Sequence, residues 1–292
     1  MAVFHFVQHD NAISWSSATP NARLSEGKHL AVTAAKSGAS VWWDVVVVGA
    51  GPAGIAAALA ATAVGAANVL LIDLADRAGG ALAAMGLPSS DDADLAAAGV
   101  QRSYQTTLID IRAGLELRLL RPSGIMRANS AALVLATGGR EQTRGNLLLP
   151  GTRPAGVLTA GAALRLLAAT GYLPGRRALI AGAGRWAGTA ARELGRAGAA
   201  IVGREPEVTA IEGWPRVTEA VLADGRRLAC DLLVLATPLL AWLPPSLAGA
   251  AGLPGVFVAG SAARGEIDAD EAAASGAMAG RQAAAWARRV QS

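Results

Sequence analysis

The chain contains the same local pattern twice: an apolar run, a glycine-rich turn and a run of residues that favour a helix. The first copy is "DVVVVGAGPAGIAAALAA", beginning at Asp44, and the second is "ALIAGAGRWAGTAAREL", beginning at Ala178. The uninterrupted apolar run 45–48 is typical of a strand that is buried on both faces of a parallel sheet. Later in each copy, "AALVLATGG" at 131–139 is matched by "CDLLVLATP" at 230–238. Repetition of a whole supersecondary unit constrains the fold more strongly than one short motif does.

These patterns predict an α/β protein made of two Rossmann-like dinucleotide-binding domains with β-meander insertions, the second domain being shortened. Residues 1–40 differ in composition from the rest and are predicted to be an N-terminal extension, to which we assign no role. We expect the first nucleotide-binding domain to comprise residues 41–150 and 245–292. The second, shortened domain is expected at residues 151–244.

The first turn has the spacing G-x-G-x-x-G between a strand and a helix, which is the context that dinucleotide binding requires. Gly49 permits the tight turn, Gly51 lets the backbone approach a pyrophosphate, and Gly54 lets helix and strand pack closely. The helix N-terminus offers free N–H groups to the phosphates. Asp73, at the end of the second strand, is placed to accept hydrogen bonds from a ribose diol. The alternative is an ordinary glycine-rich turn with Asp73 as a solvated strand end.

Four motifs in order, "DVVVVGAGPAGIAAALAA", "LIDLADRAGGAL", "LVLATGGRE" and "GLPGVFVAGSAARGEI", resemble the FAD domain of the two-dinucleotide flavoprotein family, which includes thioredoxin and glutathione reductases. The resemblance covers residues 44–292 and implies that the chain binds FAD. Ser261 departs from the family, whose members commonly have Asp at that position. The residues implied to lie at the FAD are Gly49, Gly51, Pro52, Ala53, Gly54, Asp73, Gly80, Ala136, Thr137, Gly138, Gly260 and Ser261.

The second turn, with Gly182 and Gly184, corresponds to the unit that binds NAD(P) in the resembled family. Glu205 follows at the distance expected for a ribose-binding acid, although a plain surface charge fits it equally well. Gly49 lies 57 positions before the strand predicted at Thr106, whereas Gly182 lies only 26 positions before the strand predicted at Val208. We therefore expect the second unit to keep its fold and to bind NAD(P)H weakly or not at all.

All three histidines and both lysines lie before residue 41, so the remaining chain cannot form a Ser-His-Asp triad, a His-ligated metal site or a Schiff-base lysine. Cys230 is the only cysteine, which rules out a dithiol or a cysteine metal cluster within this chain. We therefore nominate no catalytic side chain and no metal site, and expect a cofactor to supply any chemistry.

The net charge of +4 is small and the basic residues are scattered, so we expect no nucleic-acid partner. The segment between Asp44 and Asp73 lacks charged residues, but its glycines and alanines indicate a strand, a turn and a helix rather than a membrane span. A reducing, cytoplasmic setting is expected from the cysteine count.

Residues 136–184 are similar, more narrowly, to the α-type subunits of multi-subunit sarcosine oxidase, dye-linked proline dehydrogenase and cyanide-forming glycine dehydrogenase; related subunits accompany some glycerol-3-phosphate dehydrogenases. This resemblance implies an oxidoreductase subunit that relays electrons for a flavin-dependent dehydrogenase subunit and an iron–sulfur electron carrier, rather than a disulfide reductase. Two alternatives stay open: a self-contained NAD(P)H-dependent flavin reductase, and a non-catalytic nucleotide-binding structural subunit.

Overall fold

The computed structural model describes residues 41–89, 92–266 and 268–292, which belong to one compact unit. The predicted extension, residues 1–40, lies outside the described residues. In chain order the elements are β1 (Val41–Val48), α1 (Pro52–Ala63), β2 (Val69–Ile72), α2 (Gly80–Ala84), α3 (Ala93–Ala97), β3 (Gln101–Ser103), β4 (Thr107–Arg112), β5 (Glu116–Arg121), β6 (Gly124–Leu135), β7 (Val157–Thr159), α4 (Ala160–Thr170), β8 (Arg177–Ala181), α5 (Gly184–Arg196), β9 (Ala200–Glu205), β10 (Val208–Glu212), β11 (Glu219–Leu222), β12 (Arg227–Ala229), β13 (Leu232–Leu235), α6 (Pro245–Ala248), β14 (Val256–Val258), α7 (Ser261–Arg264) and α8 (Ala269–Gln291).

The first sheet has seven strands in the order β3-β2-β1-β6-β5-β4, and β14 also pairs with β6. Strand β6 connects two kinds of pairing. Its beginning pairs antiparallel with β5, and its end pairs parallel with β1, where Val45 faces Ala132 and Val48 faces Leu135. The predicted meander is therefore an extension of the nucleotide-binding sheet, and the buried apolar runs of β1 and β2 lie at its centre.

Helices α1 and α8 cover one face of this sheet, and their backbones lie very close to each other. A Cβ on Gly276 of α8 would lie 1.9 Å from the carbonyl oxygen of Ala53, and one on Gly280 would lie 2.1 Å from that of Ala57. Only glycine permits such an approach between two helix backbones. The small-residue composition of α1 is explained by this contact, because larger side chains would hold the helices apart.

The second half forms a four-stranded parallel sheet, β7-β13-β8-β9, and a separate three-stranded antiparallel sheet, β10-β11-β12. Between β9 and β10 there are only two residues, so this unit has no counterpart of α2, α3 and β3. The predicted fold class is confirmed: two Rossmann-like units with β-meanders, of which the second is shortened.

The two halves are joined by segments that run side by side in opposite directions. The Arg140 N–H donates to the Leu240 carbonyl at 2.9 Å, and the Leu240 N–H donates to the Arg140 carbonyl at the same distance. The predicted domain boundaries, after residues 150 and 244, fall in these connecting regions outside the strands. The division into domains itself stays a prediction. Among the described residues, no helix combines the length and apolar character that crossing a membrane requires.

Candidate functional site: the first glycine-rich turn and its cavity

The turn between β1 and α1 depends on glycine at two of its three motif positions. Gly49 has φ +107°, and a Cβ there would lie 2.3 Å from the Ala136 carbonyl oxygen. A Cβ on Gly54 would lie 1.6 Å from the carbonyl oxygen of Gly49. Gly54 therefore lies behind the turn, against Gly49, and allows α1 to start directly beside β1.

Gly51 and Gly80 form a narrow backbone contact at the start of α1. A Cβ on Gly80, which has φ +58°, would lie 2.8 Å from the Gly51 Cα, and the Gly79 N–H donates to the Ala50 carbonyl at 2.8 Å. A Cβ on Gly51 would have only the Gly80 Cα within 4 Å, at 3.9 Å. The helix N-terminus is thus left free of side chains, as a bound phosphate would require.

Asp73, the predicted ribose-binding acid, is fixed beside this turn. One carboxylate oxygen accepts the Ala50 N–H at 2.5 Å, and the other accepts the Ala75 N–H at 2.7 Å. A carboxylate can accept about four hydrogen bonds, so each oxygen keeps capacity for a ligand hydroxyl. Asp73 therefore holds the turn in place and also faces the cavity described next.

A cavity of about 1030 Å³ lies along the turn. Ten of the predicted FAD-site residues line it: Gly49, Gly51, Pro52, Ala53, Asp73, Gly80, Ala136, Thr137, Gly138 and Ser261. Gly54 and Gly260 do not line it. Gly260 packs against Ala53, with a notional Cβ only 2.6 Å from the Ala53 Cβ, and its N–H donates to the Ser275 hydroxyl at 3.1 Å.

Thr137 carries an unsatisfied polar atom at this cavity. The preceding residue is anchored, because the Ala136 N–H donates to the Val48 carbonyl at 2.8 Å. The Thr137 hydroxyl, by contrast, is buried and has no hydrogen-bond partner among the described residues. Buried polar groups usually have partners, so this hydroxyl has free capacity to bond a ligand atom in the cavity.

Several charged and aromatic residues of the cavity were not predicted from the sequence as site residues. The Arg140 guanidinium lies 5.6 Å from the centre of the Trp242 ring, a cation–π contact. Glu141 forms an ion pair of 2.8 Å with Arg165 and accepts the Gly161 N–H at 2.6 Å. Arg140 and Glu141 directly follow the "ATGG" motif, which was the available signal. Trp242 had none.

The second glycine-rich turn repeats the backbone geometry of the first. Its predicted cofactor-binding residues, however, lie outside the large cavity. Gly182 has φ +136°, and a Cβ there would lie 2.2 Å from the Ala236 carbonyl oxygen. Its N–H donates to the backbone carbonyl of Glu205 at 2.8 Å, whereas the Glu205 carboxylate pairs with Arg226 at 3.3 Å. Neither Gly182, Gly184 nor Glu205 lines the large cavity.

The helix that follows the second turn nevertheless contributes to the large cavity. Arg185, Trp186 and Thr189 of α5 line it, together with Leu82 and Met85 from the first unit. The Trp186 side chain is partly buried against the core that includes Leu194. The spacing of the motif did not indicate that α5 would face the cavity of the first unit.

Cys230 lies away from this cavity, in the core of the second unit. Burial, the largest cause, together with the nearby charge of Asp231, raises the pKa of its thiol to about 11. The thiol is therefore protonated at neutral pH and is a poor nucleophile. In the described part of the chain, no group of three or more His, Cys, Asp or Glu side chains is arranged to hold a metal ion.

Known proteins resemble this chain chiefly in fold. No curated protein sequence matches the chain. Among solved structures, L-proline dehydrogenase from P. horikoshii is similar with a TM-score of 0.67 and 22% identity, over 86% of this chain and 56% of that one. A NAD-dependent persulfide reductase from A. fulgidus is similar with a TM-score of 0.61 and 17% identity, over 82% of this chain and 59% of that one. This chain therefore spans less than two thirds of either protein.

Thioredoxin reductase from Lactococcus lactis, in its FR conformation, has a TM-score of 0.64 and 18% identity, over 85% of this chain and 99% of that one. At these identities the likeness establishes the fold. The family model that matches the sequence is described as FAD dependent oxidoreductase and covers residues 44–169. The stretch from the first glycine-rich turn through helix α4 thus carries the sequence pattern of the FAD dependent oxidoreductases.

Proposed function

We propose that the chain binds FAD in the cavity at the first glycine-rich turn and works as an oxidoreductase. The cavity of about 1030 Å³ beside the turn carries this proposal, because it combines size, a free helix N-terminus and an acid at the end of β2. The match of residues 44–169 to the FAD dependent oxidoreductase family supports the choice of FAD.

The residues present fit such a group. The approach of Gly51 and Gly80 leaves a cradle that any larger residue at position 80 would fill, and the Thr137 hydroxyl lacks a protein partner. In the proposed complex, the N-terminus of α1 binds the phosphates, Asp73 accepts ribose hydroxyls, and Thr137 bonds a polar atom of the cofactor. Ser261 supplies a hydroxyl where an Asp was expected. Bound FAD would supply electron or hydride transfer.

The finer part of the proposal is that the chain is a subunit of a multi-subunit dehydrogenase for amines or amino acids, or of the glycerol-3-phosphate type. In this role a flavin-dependent dehydrogenase subunit oxidises the substrate, and an iron–sulfur carrier takes part in electron transfer, in a reducing, cytoplasmic setting. The similarity to a structure titled L-proline dehydrogenase supports it. The absence of His and Lys after Lys36 supports it too, because these residues commonly activate substrates.

A self-contained NAD(P)H-dependent reductase is the second candidate. The retained fold of the second unit and the similarity to a NAD-dependent persulfide reductase favour it. Cys230 is the one cysteine of the chain, and it is buried. The chain could therefore carry out dithiol or persulfide chemistry only if another molecule supplied a thiol. This is why we propose a function other than disulfide reduction.

An anaerobic visible spectrum, recorded before and after addition of NADH or NADPH, separates these functions. We expect a flavin spectrum that stays oxidised with either nucleotide and bleaches when a partner dehydrogenase and its substrate are present. Prompt bleaching by NADH or NADPH alone would favour the self-contained reductase. Failure of FAD to bind would contradict the proposal and leave a non-catalytic nucleotide-binding subunit.

A further inference from the structure

The second glycine-rich turn is faced by a carboxylate from the first unit. A Cβ built on Gly184, the first residue of α5, would have one atom within 4 Å, the Glu266 Oε1 at 3.7 Å. The other oxygen of Glu266 accepts the Leu239 N–H at 3.2 Å. The carboxylate is thus held close to the turn by the segment that connects the two units.

A second carboxylate, that of Asp268, lies beside Arg185, which follows Gly184 in α5. The Asp268 Oδ2 is 2.7 Å from the Arg185 guanidinium, and the Asp268 Oδ1 accepts the Glu271 N–H at 2.7 Å as the N-cap of α8. The hydrogen bond from the Glu271 backbone is the largest cause that lowers the pKa of Asp268, so this group is charged at neutral pH. The Arg185 side chain is 77% exposed, so this ion pair contributes little to stability. Its effect is to hold the two charges in position beside the start of α5.

The N-terminus of helix α5 can attract an anion, and the helix itself supplies no acidic side chain there. Its N-cap, Ala183, offers no side-chain hydrogen bond, and its first turn contains no acidic residue. The partial positive charge of a helix N-terminus favours a nearby anion. In the first unit a Cβ on the corresponding Gly51 would meet only the Gly80 Cα within 4 Å, and the nearby Asp73 carboxylate is engaged by the N–H groups of Ala50 and Ala75.

We infer that Glu266 and Asp268 serve as the chain's own anions at the second glycine-rich turn, and that they exclude phosphate-bearing ligands from it. A pyrophosphate at α5 would have to displace the Glu266 carboxylate and separate Arg185 from Asp268. The Glu266 carboxylate would repel a phosphate placed at the turn. Arg185, which would otherwise bind that phosphate, is already paired with Asp268. The two acids, which also line the edge of the large cavity, therefore keep phosphate away from the start of α5.

The test is the double variant Glu266→Gln with Asp268→Asn. Gln keeps an oxygen that can accept the Leu239 N–H, and Asn is as good an N-cap as Asp, so the variant changes charge while preserving both hydrogen bonds. Glu193→Gln, at the other end of α5, is the matched control. Calorimetric titration with inorganic pyrophosphate at low ionic strength, with and without FAD, measures the affinity of the second turn.

We expect the double variant to bind pyrophosphate at least about tenfold more tightly than the wild type and the control, because two negative charges leave the helix N-terminus. Because Arg185, Glu266 and Asp268 also line the large cavity, a gain at the second turn should persist when FAD occupies that cavity, and adding Arg185→Gln should remove it. Equal affinity in wild type and double variant would overturn the inference, as would a gain that survives Arg185→Gln. Glu266→Gln alone, with the same expected direction, is the substitute if the double variant does not fold.

Discussion

The two glycine-rich turns have nearly the same backbone and different surroundings. A Cβ on Gly49 would lie 2.3 Å from the Ala136 carbonyl oxygen, and a Cβ on Gly182 would lie 2.2 Å from that of Ala236. Thr137 and Thr237, the residues that follow these alanines, each have a buried hydroxyl without a partner in the described structure. The local motif thus specifies the turn and its contact with the neighbouring strand in both halves.

What differs is the acid at the end of the second strand and the elements around each turn. Asp73 accepts the Ala50 N–H at 2.5 Å and faces a large cavity, whereas the Glu205 carboxylate pairs with Arg226. Helices α2 and α3 and strand β3 exist only in the first unit. The comparison shows that the glycine pattern determines a turn, and that neighbouring elements determine whether the turn becomes a site.

The largest expected difference between the turns is at their third motif position. Gly54→Ala places a Cβ where the Gly49 oxygen lies, so we expect a loss of several kcal/mol of unfolding free energy and of flavin binding. Ala187→Gly, the matched change in the second turn, should cost about 1–2 kcal/mol, because it adds helix flexibility and removes one buried methyl group. Chemical denaturation and flavin content measure both. Similar losses in the two variants would contradict the asymmetry.

The acids at the strand ends come next. Asp73→Ala leaves the N–H groups of Ala50 and Ala75 without their acceptor, so we expect a cost of about 1–3 kcal/mol in stability and about a ten- to hundredfold loss of FAD affinity. Glu205→Ala removes only a partly exposed ion pair and should cost less than about 1 kcal/mol, with FAD affinity unchanged. Titration of the apoprotein with FAD compares them, and a larger effect from Glu205→Ala would reverse the assignment of the site.

The two threonines offer a smaller and more specific comparison. Thr137→Val should weaken FAD binding by about three- to tenfold if its hydroxyl bonds the cofactor, which corresponds to one ordinary hydrogen bond. Thr237→Val removes an equally unpartnered hydroxyl in the second unit and should leave FAD affinity unchanged. Identical dissociation constants for the two variants would show that Thr137 does not contact the ligand.

The last expectation concerns the second unit alone and leaves FAD binding unchanged. Because burial raises the pKa of Cys230 to about 11, we expect its thiol to react with a disulfide reagent at pH 8 about a hundredfold more slowly than an exposed cysteine. The same slow rate in Asp73→Ala would show that this change leaves the second core intact. Fast labelling of the folded wild type would mean that the core around Cys230 opens readily.

The sequence predicted features that depend on neighbouring residues, and missed those that depend on how distant segments meet. The turn at Gly49 and the placement of Asp73 follow from local spacing, and the shortening of the second unit could be counted directly. The approach of Arg185 to Asp268 could not be predicted, because the two residues lie far apart in the sequence and meet only when α5 and the start of α8 are placed in the fold. The contact of α1 with α8 is similar, since Gly276 and Gly280 are recognisable only once the two helices are seen together.

If only one of the two similar turns binds FAD, the stoichiometry of FAD binding will be one per chain. Apoprotein is saturated with FAD, freed of excess by desalting, and its flavin absorbance is compared with its protein concentration. We expect one FAD per chain in the wild type and in Glu205→Ala, and a clear loss in Asp73→Ala. No retained FAD in the wild type, or equal retention in Asp73→Ala, would contradict it.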